Sequence, residues 1–298
     1  GASELAVRLA DAAGDTLSVN PARIDGGGPN NVVPDLAVLR VNFRPGDAQA
    51  IARAQAAQGK IPEAVVNLEA VTQFLESGPT KIPVRLQIRL LLEEGRVMTL
   101  QRTPSQARTR FAKAWELAVN AGDDFFVVEI ARAMAEIEPL KMQEAWIHKA
   151  IEVASESSQE KARVWLGELH ADLGWRLFDL RQFEASLAAH KYSLNSYRTL
   201  DSQEGIFQAS WAIGRLLRQL RRIPEALAWN EALLLEIPGK GHLYGRLCEE
   251  VAECLLSVKG PESAQPHFAR AYHELSQSSV QDRHPLGLKR LKQLGKVE

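Results

Sequence analysis

"KIPEAVVNLEAV" (Lys60–Val71) and "RIPEALAWNEAL" (Arg222–Leu233) open with the same phrase, a basic residue followed by Ile-Pro-Glu-Ala. Proline costs nothing in the first turn of a helix, where its missing N–H has no carbonyl to meet. The glutamate beside it complements the positive end of the helix dipole. Each phrase therefore marks a helix start, and "KGPESA" (Lys259–Ala264) is a looser third copy. The first two copies stand about 160 residues apart, or about four periods of 40, a spacing typical of helical repeat arrays.

Further copies lie between them. Ala107, Phe111 and Ala114 follow the spacing i, i+4, i+7, as do Ala64, Leu68 and Val71, and Ala264, Phe268 and Ala271. Those three positions share one face of a helix. "QFEASLAAHKYSL" (Gln182–Leu194) is a degenerate copy with Ser186, His190 and Ser193 in the same places. A small residue precedes each unit at a constant offset: Ala52, Gly95, Gly174, Gly214 and Ala252. Their mean spacing is about 40 residues once a blurred unit over 124–158 is counted. Small residues let two helices approach, and a bulky one would overpack by roughly 1–3 kcal/mol. A single helix hairpin cannot bury its apolar faces alone, so such units are stable only when stacked.

Gly, an apolar residue three on, then Ala-x3-Phe-x2-Ala and a closing Pro resembles the tetratricopeptide repeat. Gly214, Leu217, Ala226 and Pro238 carry that pattern in one unit, and Gly95, Ala107, Phe111 and Ala114 in another. The resemblance spans about residues 46–278 and implies an all-α, right-handed superhelical solenoid of about six antiparallel helix hairpins. Two departures stand out. The period is about 40 rather than the family's 34, which lengthens the helices. His190 and Asn230 occupy positions where the family places a large apolar residue. Outside the array, residues 1–45 read as a capping helix over 3–13 and a Gly/Pro/Asn-rich loop, with 35–43 ambiguous between a strand and a short helix. Residues 279–298 read as a C-terminal capping segment, amphipathic after Pro285.

Composition narrows the function. The 298 residues carry a formal net charge of −1, with 45% hydrophobic and 24% charged residues. Nothing global draws the chain to nucleic acid or to an anionic membrane. No apolar run reaches the roughly 18 residues a membrane helix needs. The opening "GASELAVRLADAAG" lacks the basic flank and apolar core expected of a signal peptide. Cys248 and Cys254 are the two cysteines, too few for a disulfide framework, so a reducing, cytoplasmic setting is expected. "DGGGPNN" (25–31) lacks both the Lys-Ser/Thr and the preceding strand of a phosphate cradle. The seven histidines fall in no metal-ligand frame; His267 and His273 are about 240° apart around one helix. Glu93–Glu94 and Glu249–Glu250 diverge by about 100°, as adjacent helical residues do. No catalytic set, metal site or cofactor motif is singled out, and the chain is read as non-catalytic.

One stretch invites a binding role. In "RLLRQLRR" (Arg215–Arg222), Arg215, Arg218 and Arg222 form a stripe at i, i+3, i+7. Such a stripe is either a solvated face or an anion-binding wall. In the family resembled, the first helix of each hairpin lines a concave groove. Carried over by register, that groove would present Arg53, Arg89, Arg96, Trp175, Trp211, Arg215 and Arg218, with Glu249 and Glu253 farther along. Arginine with tryptophan is the composition of interface hot spots. Trp115, Trp146, Trp165 and Trp229 are expected between helices. The Lys/Asn carboxylate clamp with which some family members hold chaperone C-termini is absent from these positions. The implied function is a scaffold for a protein or peptide segment, acidic in character. The alternative is a ligand-sensing regulatory domain that controls an attached or partner module, followed by an enzyme with a cryptic groove site.

Overall fold

In a computed structural model the described residues are 17–25, 38–45, 83–237, 239–277 and 285–297, with Pro62, Val65, Val66, Leu68, Glu69 and Thr72 as helical residues between the strands and the main array. Two strands come first: β1 (Leu17–Asp25) pairs antiparallel with β2 (Val38–Pro45), from Leu17 opposite Pro45 to Asp25 opposite Val38, with an irregularity between Pro21 and Arg23. The first strand corrects the loop reading over Leu17–Asp25, and with it the assumption that no strand precedes the glycines at 26–28; the second is the strand alternative left open for 35–43. Apolar and polar residues alternate along Val41–Arg44, the period of a strand rather than a helix. The expected helix over 3–13 lies outside the described residues.

The rest is helical. The helices are α1 (Val84–Leu100), α2 (Pro104–Asn120), α3 (Asp124–Ile137), α4 (Leu140–Glu156), the single turn α5 (Glu160–Arg163), α6 (Leu166–Asp179), α7 (Phe183–Thr199), α8 (Gln203–Gln219), α9 (Ile223–Glu236), α10 (His242–Val258), α11 (Pro261–Ser276) and α12 (Pro285–Gly295). Pro224 and Pro261 sit in the first turns of α9 and α11, each the second helix of its hairpin. Pro104 does the same for α2 without the Ile-Pro-Glu-Ala phrase.

Helix contacts divide the chain into two compact units, Gly1–Ile137 and Glu138–Glu298. The sequence reading ran one array through 46–278; the division falls inside 124–158, where the repeat landmarks blur. In the first unit α1 packs on α2 and α3, and α2 on α3. In the second, each helix from α6 to α12 packs on its sequence neighbour, while α8 also touches α6 and α10. That combination defines stacked antiparallel hairpins.

The small residues close each hairpin. A Cβ on Gly95 would run into the Phe111 ring, one on Gly174 would lie 2.5 Å from His190 Nε2, and one on Gly214 would strike the Asn230 side chain. Ala252 and Phe268 share a core with Leu255, Ala264, Leu275, Leu288 and Leu291, the last two from α12. Each small residue on the first helix thus receives the side chain sixteen positions on, from the second. The degenerate copy in α7 has a physical account. Ser186 Oγ donates to the Gly174 carbonyl and Ser193 Oγ to the Gly167 carbonyl, each at 2.7 Å, so the serines tie the helices together by hydrogen bonds.

Candidate functional site

Within the second unit, α6, α8 and α10 each contribute side chains to one face. Trp175 follows Gly174 on α6. On α8, Phe207, Trp211, Arg215 and Arg218 recur every three or four residues and fall on one side of the helix. On α10, His242 and Arg246 lie one turn apart. Trp211 is the centre of the cluster. Its ring centroid is 5.9 Å from that of Trp175, and two guanidinium groups stand over it: Arg215 at 5.5 Å and Arg246 at 5.3 Å. Arg215 also lies 5.5 Å from the Phe178 ring. Cation–π contacts of this kind contribute about 0.5–2 kcal/mol each, more when water is excluded.

A cavity of about 310 Å³ opens beside Trp211, walled by Trp175, Phe207 and Trp211 and edged by Glu204, His242 and Arg246. His190, from α7, also lines it. Its imidazole packs edge-to-face on Trp175 at 4.8 Å, is 1% exposed, and has no hydrogen-bond partner at either ring nitrogen. Burial pushes its pKa down to about 4, so the ring is neutral at physiological pH. Trp211 Nε1 is likewise buried without a partner. Arg246 Nε donates to His242 Nε2 at 2.9 Å. That bond needs a neutral His242, and burial with the nearby Arg246 charge lowers the His242 pKa accordingly.

The arginines predicted for the groove differ in what they face. Arg53 lies outside the described residues. Arg89 and Arg96 are on α1 in the first unit, where Arg96 pairs with Glu93 at 2.8 Å and Glu129 at 3.2 Å. Burial would lower the Arg96 pKa, but the two carboxylates outweigh it and hold it raised. Trp175, Trp211, Arg215 and Arg218 do come together in the second unit. Arg218, however, donates through Nε to Glu250 Oε2 at 2.7 Å, and Glu250 is 3% exposed. Arg215 reaches the other oxygen of Glu250 only at 3.8 Å. Farther along, Glu253 pairs with Arg290 of α12, while burial and the neighbouring Glu250 and Glu253 raise the Glu249 pKa. Sequence reasoning missed His190 as a cavity residue, and Glu204, His242 and Arg246 altogether. Arg246 had one available signal, its place on the first helix of its hairpin, but it stands off the small-residue landmark that set the register.

Burial pushes the Cys248 and Cys254 thiols up to about 11, so neither offers a thiolate at neutral pH. Among the described residues no group of three or more His, Cys, Asp or Glu side chains is placed to hold a metal, and no helix is long and apolar enough to cross a membrane.

Solved structures place the fold. A Signal Transduction ATPase with Numerous Domains protein with a tetratricopeptide repeat sensor, from Pyrococcus horikoshii, matches with a TM-score of 0.64 at 13% identity, over 83% of this chain and 38% of that one. BtubC from P. vanneervenii matches with a TM-score of 0.60 at 13% identity, over 74% of this chain and 91% of that one. The apo form of the quorum sensor NprR from B. thuringiensis matches with a TM-score of 0.57 at 13% identity, over 82% and 67%. The chain therefore spans well under half the length of the first of these. No family model and no curated protein matches the sequence. The fold is that of the tetratricopeptide-repeat proteins, a helical solenoid of antiparallel hairpins, here with a strand pair ahead of the helices.

Proposed function

We propose that the chain is a non-catalytic binding module that holds a peptide or protein segment on the α6–α8–α10 face of its second unit. The observation that carries this reading is Trp211 between Arg215 and Arg246: a large apolar anchor flanked by two cations, at the mouth of an aromatic cavity. Tryptophan and arginine so placed are hot-spot residues, and the cations favour a partner with acidic groups. Arg89 and Arg96 of the first unit remain candidates for a second contact region, Arg96 less so because two carboxylates already hold it.

A sensing role is the second reading. Two of the similar folds are described as sensors, one of them part of a signal-transduction ATPase. The small, partly open cavity favours a small ligand or peptide end, whose binding would control an attached or partner module.

The test is a random-peptide display library selected on the purified chain. Recovered peptides are titrated against the wild type, Trp211→Ala and Arg215→Gln, with Arg163→Ala as control. Arg163 is exposed and bonds the Ser157 carbonyl, away from this face. Trp211→Ala should weaken binding by about 2 kcal/mol or more, roughly thirtyfold, and added salt should weaken it further. Arg218→Ala is a poor probe, because losing one partner of a buried pair costs roughly 3–5 kcal/mol of stability. Recovery of no peptide, or of peptides indifferent to Trp211, would overturn the reading.

A further inference from the structure

The cavity beside Trp211 is small, near the lower end of the roughly 300–1,000 Å³ of ligand pockets. It has room for one residue-sized group rather than for a length of chain. Its walls are aromatic, and its polar groups are of opposite sign at the rim. Arg246 is half-buried, spends one N–H on His242, and has no carboxylate within ion-pair distance among the described residues. Arg96, Arg218, Arg222 and Arg290 each have a carboxylate partner instead. Glu204 stands on α8 at the same rim, accepting from Gln208 Nε2 at 2.6 Å, with lone pairs to spare. Inside, His190 and the Trp211 indole N–H are buried polar groups without partners.

We infer that this cavity binds an aromatic amino-acid carboxylate: the ring against Trp175, Phe207 and Trp211, the carboxylate on the free guanidinium N–H groups of Arg246, and the α-nitrogen N–H on Glu204. Glu249 on the same helix acts on Arg246 only from beyond ion-pair distance, and burial with the nearby Arg215 charge outweighs it. A half-buried guanidinium without a carboxylate in contact is a costly group to keep, and a planar carboxylate matches its fork of donors. The same chemistry is offered by two sources, a free aromatic amino acid or the aromatic C-terminal residue of a peptide. The inference rests on the binding role proposed above for this face and names the group it recognises.

The experiment is isothermal titration of the full chain with three probes: L-phenylalanine, N-acetyl-glycyl-L-phenylalanine and the C-terminal amide of that dipeptide. Each is repeated on Arg246→Gln, with far-UV circular dichroism and the melting temperature confirming that the variant is folded, and on Trp175→Leu as a second, uncharged lesion of the same cavity. A carboxylate probe should bind the wild type about ten- to hundredfold more tightly than the amide, the range expected for a charge-assisted hydrogen bond. Arg246→Gln should abolish that preference, and Trp175→Leu should weaken acid and amide alike. Preference for the acetylated dipeptide over phenylalanine assigns the source to a peptide end; the reverse assigns it to the free amino acid. Equal binding of acid and amide, an undiminished preference in Arg246→Gln, or no binding of either acid would overturn the inference. In that last case, library peptides that still depend on Trp211 would leave the binding face standing without this pocket. A free amino acid that binds through Arg246 while no peptide is recovered would instead remove the peptide reading and keep the pocket.

Discussion

His190 shows how much one residue sets in this fold. In the register of the other hairpins its position holds Phe111, Asn230 or Phe268, each packed on the small residue of the facing helix. Here an imidazole packs on Gly174 instead and is almost wholly buried. Its folded pKa of about 4 lies below the ordinary 6.5. Between those values the unfolded chain binds a proton that the folded chain refuses. The stabilising contribution is therefore complete above about pH 6.5 and is lost as pH falls toward 4. A shift of that size is worth about 3 kcal/mol at its limit. Burial also lowers the pKa of His170, His242 and His267, so they add to the same slope. His190→Phe should therefore flatten, though not erase, the loss of stability between pH 7 and pH 4.5, by about 2–3 kcal/mol. Urea unfolding at a series of pH values measures it, and parallel curves for the two proteins would show that His190 does not titrate as described.

At the scale of the element, the helices are ended by turns that the sequence does not advertise. α1, α6 and α8 each end in a residue with positive φ: Arg102 at 60°, Arg181 at 60° and Arg221 at 62°. After α8, the N–H of Arg222 returns to the Leu217 carbonyl at 2.9 Å; after α6, that of Gln182 returns to Leu177 at 2.8 Å. This is the closing pattern usually built with glycine; after α10 the positive φ does fall on a glycine, Gly260, but its own N–H returns to the Leu255 carbonyl at 3.1 Å because Pro261 has none to give. A left-handed conformation costs a side-chain-bearing residue roughly 1–2 kcal/mol, and glycine's extra unfolded-state entropy returns part of that. Arg221 is exposed, and no ion pair holds it among the described residues. Arg221→Gly should therefore stabilise the chain by about 0.5–1 kcal/mol. Chemical denaturation is the check, and a loss of stability would mean that the arginine side chain contributes more than its backbone costs.

On the scale of the molecule, the second unit contains its own cores. One joins α10, α11 and α12 through Val251, Phe268, Leu288 and Leu291; a second joins α7, α8 and α9 through Leu187, Ile213, Leu216 and Ala226. A third links α8, α9 and α10 through Phe207, Leu233 and Leu247. Every residue of the Trp211 cluster and of the cavity also lies in this unit. A fragment of residues 138–298 should therefore fold by itself, with a helical circular dichroism spectrum, a cooperative melt, and the same ligand affinity as the whole chain. A disordered spectrum would show that the division at Ile137 is not one of independent stability.

The sequence determined the repeat and the close pairing of helices. Both depend on short-range periodicity, and a small residue facing a large one sixteen positions later leaves its mark in a single chain. Register proposed one groove for Arg53, Arg89, Arg96, Trp175, Trp211, Arg215 and Arg218; of these, Trp175, Trp211, Arg215 and Arg218 lie together in the second unit, Arg89 and Arg96 lie in the first, and Arg53 lies outside the described residues. The strand pair was less legible: alternation along Val41–Arg44 is brief, and a strand is stable only through a partner that lies elsewhere in the chain. Tertiary structure alone decided which arginine is neutralised. Arg218 and Arg246 look equivalent in sequence, each an arginine on the first helix of a hairpin. Among the described residues the first is in ion-pair contact with Glu250 from the adjacent helix, while the second bonds His242, stands over Trp211 and feels Glu249 of its own helix only from beyond ion-pair distance, because close contact is decided by distance across elements.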